Sequence, residues 1–254
     1  MDKRKNNLAK KFSPRSQSVL NDNEVAQSAW RVFKIMGEFV SGFEFLNTYD
    51  AAATFFGSAR LKPSNKFYQE AEKLGRDLAQ LGFAIITGGG PGIMEAGNKG
   101  AYQSGGVSVG FNIQLPSEQR SNQYITSGKA FNYFFIRKVM MSYASELYIF
   151  FPGGFGTLDE FFEILTLVQT KKICKLPIIL IDKGFWQPLL DWHRKTLYQE
   201  NKTVSKEDLE LYHLVNDADE ALAHIKKLIK NNQIQAKELP VEYSEGLNIQ
   251  KVEK

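Results

Sequence analysis

Short apolar runs alternate with helical stretches along most of this chain, and this alternation restricts the fold more than any other feature. Residues 52–56, 83–86, 107–111, 147–151 and 177–181 are rich in Ala, Val, Ile and Phe and read as buried strands. Between and after them, helical periodicity covers 64–81, 92–103, 132–143, 157–170, 185–198 and 217–230, while the stretch from 112 to 131 reads as a polar loop. Strand and helix in alternation imply parallel strands joined by right-handed crossovers. The expected fold is therefore α/β, a Rossmann-like doubly wound parallel sheet flanked by helices. An additional N-terminal helix is predicted over 25–46, where Trp30, Phe33, Met36, Val40 and Phe43 recur at three- and four-residue steps, as a face turned to the core.

Composition sets the remaining limits. A 43% apolar fraction in 254 residues is ample for one large core. Residues 24–230 are expected to form a single nucleotide-binding domain, with a disordered basic tail over 1–23 and a loose polar tail over 231–254. The net charge of +4 comes from the basic head, which has no interleaved aromatic residues, so nucleic acid is not an expected partner. No stretch has the length of a membrane span. Cys174 is the single cysteine, which excludes an internal disulfide and points to a reducing cytoplasm. His193, His213 and His224 lie far in sequence from the glycine turns, so neither a metal nor another cofactor is expected.

Three strand exits carry small residues: FGSAR (56–60), TGGGPGIME (87–95) and PGGFGTLDE (152–160). In doubly wound sheets ligands bind at the carboxyl ends of strands. Glycine permits close backbone approach, and the helix that follows offers unpaired amides and a partial positive charge, which suits a phosphate. A P-loop would need a lysine after the last glycine, where Thr157 and Leu158 stand instead. A dinucleotide fingerprint would need a third glycine where Ile93 stands. What remains fits a single phosphate, such as that of a nucleoside monophosphate. Thr157 to Glu160 also matches a capping box, so these residues have a purely structural reading as well. Arg137 and Lys138 interrupt an apolar, aromatic run on the helix before the strand ending at Pro152. They are either that helix's polar face or cations leaning over the carboxyl ends towards Glu160.

The motif Pro-Gly-Gly-x-Gly-Thr-x-x-Glu at 152–160, with Arg137-Lys138 upstream and GGGPGIME before it, resembles the LONELY GUY (LOG) family of cytokinin riboside 5'-monophosphate phosphoribohydrolases. The resemblance covers roughly residues 52–183. It implies hydrolysis of the N-glycosidic bond of a nucleoside 5'-monophosphate, AMP or an N6-modified AMP, to free base and ribose 5-phosphate. Arg137 and Glu160 would be the catalytic pair, with Arg137 holding Glu160 ionised. Gly153, Gly154, Gly156 and Thr157 would hold the 5'-phosphate, with Gly89, Gly90 and Gly92 close by. Glu118, Lys138 and Thr166 carry over as substrate-binding residues by approximate spacing. The resemblance also implies at least a homodimer. Members are often labelled lysine decarboxylases, but no lysine here stands in an evident pyridoxal phosphate context. FGSAR stands where the short plant proteins have Gly-Ser-Ser, and the helix over 25–46 is extra to them, which leaves base preference and hormone role open. The alternative is a non-catalytic nucleotide or molybdenum-cofactor carrier, since a cradle alone serves a carrier.

Overall fold

Four of the short apolar runs become the interior of one sheet as strands buried along their full length. The structure is a computed structural model that describes residues 22–49, 51–114 and 121–234. Strands β1 (Ala52–Phe56), β2 (Ala84–Thr87), β5 (Leu147–Phe150) and β6 (Ile178–Ile181) are buried at every position. That is the pattern of parallel strands covered on both faces. With β3 (Ser108–Ile113), β4 (Ser127–Phe131) and β7 (His213–Val215) they form a seven-stranded sheet in the order β4-β3-β2-β1-β5-β6-β7, all pairs parallel. The fold is thus the expected Rossmann-like α/β arrangement with an extra N-terminal helix.

Alternate side chains of each strand enter opposite layers. Phe56, Ile86, Phe111 and Phe150 pack beneath α1 (Asp22–Leu46), α4 (Phe134–Ser142), α5 (Phe155–Gln169) and α6 (Lys183–Trp192), which contribute Leu46, Met140, Phe161 and Trp186. Phe55, Ile85, Ile149 and Ile179 pack beneath α2 (Lys66–Gln80), α3 (Ile93–Gln103) and α7 (Ala218–Lys230), which contribute Leu74, Ile93 and Ile225. The chain lays β2, β3 and β4 outward on one side of β1 and then returns to place β5 on the other side. The strand order therefore reverses between β1 and β5, and a crevice opens at their carboxyl ends.

Four features differ from the sequence reading. The stretch expected as a polar loop contains β4, an edge strand that pairs Val109 with Ser127 through Ile113 with Phe131. Its SGKAF sequence is only partly buried, so it has no apolar run to mark it. The short β7 likewise pairs Ile179 with His213 at the opposite edge. The helix from 185 continues as a π-helix, His193–Glu200. The largest difference lies in α1. Ile35, Phe39 and Phe43 pack against the core, whereas Trp30, Phe33, Met36 and Val40 are 68%, 62%, 54% and 58% exposed. The helix is apolar over a wide arc, and the protomer buries only one side of that arc. The basic head and the C-terminal tail expected beyond Asn231 fall almost wholly outside the described residues.

Helices α2 and α3 approach through glycines. A Cβ on Gly100 would lie 2.0 Å from the Glu72 carbonyl oxygen, and one on Gly75 would lie 2.6 Å from that of Gly97. Backbone cannot yield as a flexible side chain can, so Gly100→Ala should destabilise the protein by about 1–3 kcal/mol or more, read as a lower denaturation midpoint in urea.

Candidate functional site

The three glycine-rich turns meet at the reversal point, held by main-chain hydrogen bonds. The Ser58 amide donates to the Pro152 carbonyl at 3.1 Å, and the Ile93 amide donates to the Ser58 carbonyl at 3.1 Å. Gly92, at φ 70°, makes this junction possible, because a Cβ there would lie 2.3 Å from the Ser58 carbonyl oxygen. Sequence-distant turns are thereby closed into one surface above β1, β2 and β5.

The turn after β5 is the open part. Gly154 is the N-cap of α5 and no side chain caps the helix. Thr157 lies inside the first turn rather than at its cap, so the capping box does not form. Its hydroxyl turns back over Gly153, where a Cβ would lie 2.1 Å from Thr157 Oγ1. A Cβ at Gly154 or Gly156 would meet nothing within 4 Å. The start of α5 thus offers uncapped amide donors, a positive helix end and free space, with the buried Thr157 hydroxyl beside it. The turn after β2 is more closed: the Gly89 amide donates to Thr87 Oγ1 at 3.0 Å, and the Gly89 and Gly90 carbonyls accept from Asn122. Gly89, Gly90 and Gly92 therefore shape the wall of the site more than they supply donors.

Arg137 projects from α4 across the ends of two strands. Its Nε donates to the Phe111 carbonyl at 2.6 Å and its Nη2 to the Gly88 carbonyl at 3.3 Å. The remaining guanidinium donors are left for another acceptor. Its charge acts on Glu160 and that of Glu160 on it, although no direct ion pair joins them. Burial lowers the Arg137 pKa and the Glu160 charge opposes that shift.

Glu160 is 8% exposed, and its buried Oε2 has no hydrogen-bond partner, with Lys138 Nζ 3.5 Å away. Burial pushes its pKa up to about 7, aided by the neighbouring Glu163 and Asp159, against the pull of Lys138 and then Arg137. Arg137 favours the ionised form of Glu160, as expected, but desolvation outweighs both cations. Lys138, expected as a substrate ligand, stands among carboxylates. Its ammonium reaches Asp159 at 2.7 Å and Glu163 at 2.5 Å. Desolvation would lower its pKa, but those two carboxylates outweigh it and raise it. Lys138 fastens α4 to α5 and sets Glu160 at a fixed distance from a cation.

The remaining expected residues are not gathered here. Thr166 lies six residues beyond Glu160 on α5, and its hydroxyl donates to the Phe162 carbonyl of the preceding turn at 2.7 Å. Glu118 lies outside the described residues. Sequence reasoning missed a network under the β2 turn. Asn98, fully buried in α3, accepts from Thr87 Oγ1 at 2.6 Å and from Asn122 Nδ2 at 2.9 Å, and donates to Ser108 Oγ and the Val109 carbonyl. The available signal was an asparagine, a poor helix former, on the small-residue face of α3 beside Gly97 and Ala101. Among the described residues no group of three or more His, Cys, Asp or Glu could hold a metal ion, and no helix is long and apolar enough to cross a membrane.

Comparison with known proteins places this geometry in context. The sequence model of a family described as possible lysine decarboxylase matches residues 94–225. A cytokinin riboside 5'-monophosphate phosphoribohydrolase of Rhodococcoides fascians is 29% identical over 147 residues, 56% of this chain and 73% of that protein. The enzyme of that name, LOG, from Oryza sativa subsp. japonica is 29% identical over 142 residues, 54% of this chain and 57% of that protein. The matched stretch therefore spans less than two thirds of the rice relative. In fold, the molybdenum cofactor carrier protein of Chlamydomonas reinhardtii superposes with a TM-score of 0.54 at 22% identity, covering 71% of this chain and 99% of that one.

The raised Glu160 pKa has a stability consequence. Between the ordinary value of 4.5 and about 7 the folded protein binds more protons at this site than the unfolded chain, so the Glu160 contribution falls as pH rises through that window. Glu160→Gln removes the buried charge. It should raise the melting temperature at pH 8 by on the order of 5 °C, and the gain should vanish near pH 4.5, as calorimetry at both values would show.

Proposed function

The chain belongs to the LOG family, whose sequence model carries the description possible lysine decarboxylase, and from that membership we propose that it is a cytoplasmic nucleoside 5'-monophosphate phosphoribohydrolase. It would hydrolyse AMP or an N6-modified AMP to the free base and ribose 5-phosphate. The observation that carries this reading is Glu160: a buried carboxyl with a pKa of about 7 and an oxygen that accepts no hydrogen bond, beside an open, uncapped helix start. The reading includes assembly into at least a homodimer.

In this reading the 5'-phosphate rests on the amides of Gly154 and Gly156 and on the Thr157 hydroxyl at the start of α5. The ribose lies between Arg137 and Glu160, whose charges face each other without an ion pair. Breaking the C1'–N bond sends its electron pair to the base nitrogen and builds positive charge on the sugar, as in glycoside hydrolysis. Ionised Glu160 stabilises that charge, receives the proton of the water that adds to C1' and passes a proton on to the released base nitrogen, which restores the carboxylate. A carboxyl that titrates near neutrality is matched to this exchange. The bound phosphate adds negative charge near Arg137, whose spare donors offer it a partner.

The decarboxylase description is the poorer fit. The lysine paired with Glu160 is Lys138, whose ammonium is held by Asp159 and Glu163 and is kept protonated by them, so it is a poor nucleophile.

Two experiments test the reading. Incubation with AMP and N6-modified AMP should release base and ribose 5-phosphate, seen by chromatography, and Glu160→Gln should lower turnover by about 10²- to 10⁴-fold with AMP binding retained. Full activity in that variant would exclude the role. Gly156→Val adds a side chain where the folded chain has empty space, so KM for AMP should rise steeply while the melting temperature changes little. An unchanged KM would remove the phosphate from that turn.

A further inference from the structure

Two carbonyls hold Arg137 by one edge. Its Nε donates to Phe111 at 2.6 Å and its Nη2 to Gly88 at 3.3 Å, and these nitrogens form one side of the planar guanidinium fork. Together the two bonds fix the plane of the group and leave the edge that carries Nη1 for a ligand. With one bond alone the plane could swing about it.

The two carbonyls are not equally secure. Phe111 lies within β3, but Gly88 lies one residue past the end of β2, where no strand pairing sets its direction. Glycines stand on both sides of the peptide unit that carries this carbonyl, Gly88 and Gly89, so the unit can rotate with little resistance from its neighbours. Position 88 has to be a glycine, since a Cβ there would collide with Arg137 Nη2. Side chains must therefore hold the unit.

The buried network beneath the turn does so. The Val109 carbonyl can only accept, so Asn98 presents Nδ2 to it and Oδ1 to Thr87. Oδ1 can also only accept, so Thr87 gives it the hydroxyl proton, at 2.6 Å. The Thr87 oxygen is then left as an acceptor, and it takes the Gly89 amide at 3.0 Å. In a trans peptide the N–H and C=O of one unit point opposite ways. Holding the Gly89 N–H to Thr87 thus aims the Gly88 carbonyl away from Thr87, where Arg137 Nη2 meets it. Asn98 and Thr87 are both fully buried, and the Asn98 amide fills its remaining positions with Ser108 Oγ and Asn122 Nδ2. We propose that Asn98 and Thr87 are positioning residues for Arg137, which set the plane of its guanidinium through the Gly88–Gly89 peptide. The effect on catalysis rests on the phosphoribohydrolase reading, in which Arg137 faces the ribose and the phosphate.

Crystal structures of the full chain and its variants read the aim of Arg137 directly. Thr87→Val keeps the shape and removes the hydroxyl, so the residue 88 carbonyl should turn and its bond to Nη2 be lost, while the Nε bond to Phe111 remains. Thr87→Ser should keep both bonds. Asn98→Ala should displace the guanidinium in the same way, and if that variant does not fold, Thr87→Val carries the test. An unmoved guanidinium in Thr87→Val overturns the proposal. A double-mutant cycle with Arg137→Lys gives the kinetic reading. Thr87→Val should lower kcat/KM for AMP by roughly tenfold in the native background and by less than about twofold in the Arg137→Lys background, with Thr87→Ser at the native value. AMP affinity by calorimetry supplies the same cycle where Arg137→Lys turns over too slowly to measure. Equal losses in both backgrounds would make Thr87 a packing residue and overturn the proposal as well. A native chain inert towards AMP, with Arg137 displaced in Thr87→Val as expected, would sink the enzymatic reading and leave the positioning role standing.

Discussion

Parallel pairing of β1 with β5 is the constraint on which the rest of the molecule depends. It joins strands nearly one hundred residues apart, Ala53 with Leu147 through Phe56 with Phe150. The chain reverses its direction of travel across the sheet at this pair. The reversal leaves the strand exits uncovered and brings the turns after β1, β2 and β5 to one place. The hydrogen bonds from Ser58 to Pro152 and from Ile93 to Ser58 then lock those turns together. Every side chain of the candidate site reports to this framework. Arg137 is fastened to carbonyls at the ends of β2 and β3, and Glu160 stands on the helix that leaves β5.

Within the framework, the decisive electrostatic fact is a contest that the cations lose. Lys138 and Arg137 both favour the ionised form of Glu160, yet burial and two neighbouring acids hold its pKa at about 7. The protein accepts a less stable carboxylate in exchange for a group that can change protonation state near neutrality. Lys138 contributes by position rather than by contact with a ligand. Its ties to Asp159 and Glu163 cross from α4 to α5 and leave Glu160 at 3.5 Å, near a charge but without a hydrogen bond.

Much of the fold was legible before any coordinates. The buried strands of a parallel sheet are unbroken apolar runs, and so β1, β2, β5 and β6 showed themselves within a residue or so of their ends. The edge strands did not, because SGKAF and HLV are half covered and owe their pairing to a neighbour rather than to their own composition. Periodicity also named an apolar stripe on α1 and turned it to the core, but its apolar arc is wider than the contact, and packing of Phe43 and Leu46 left Trp30, Phe33, Met36 and Val40 outside.

The candidate site divides the same way. Spacing and residue type located the glycine turns and excluded a lysine-bearing P-loop, because backbone freedom and charge are properties of the residues themselves, while the family resemblance marked Arg137 and Glu160 as a pair. Only the tertiary structure decided that the turns after β2 and β5 play unequal parts, that Lys138 is occupied by carboxylates and that Asn98 underpins the loop. Above all it set the Glu160 pKa. Local sequence carries identity and period, but desolvation depends on everything packed around a group, and that is known only once distant segments have come together.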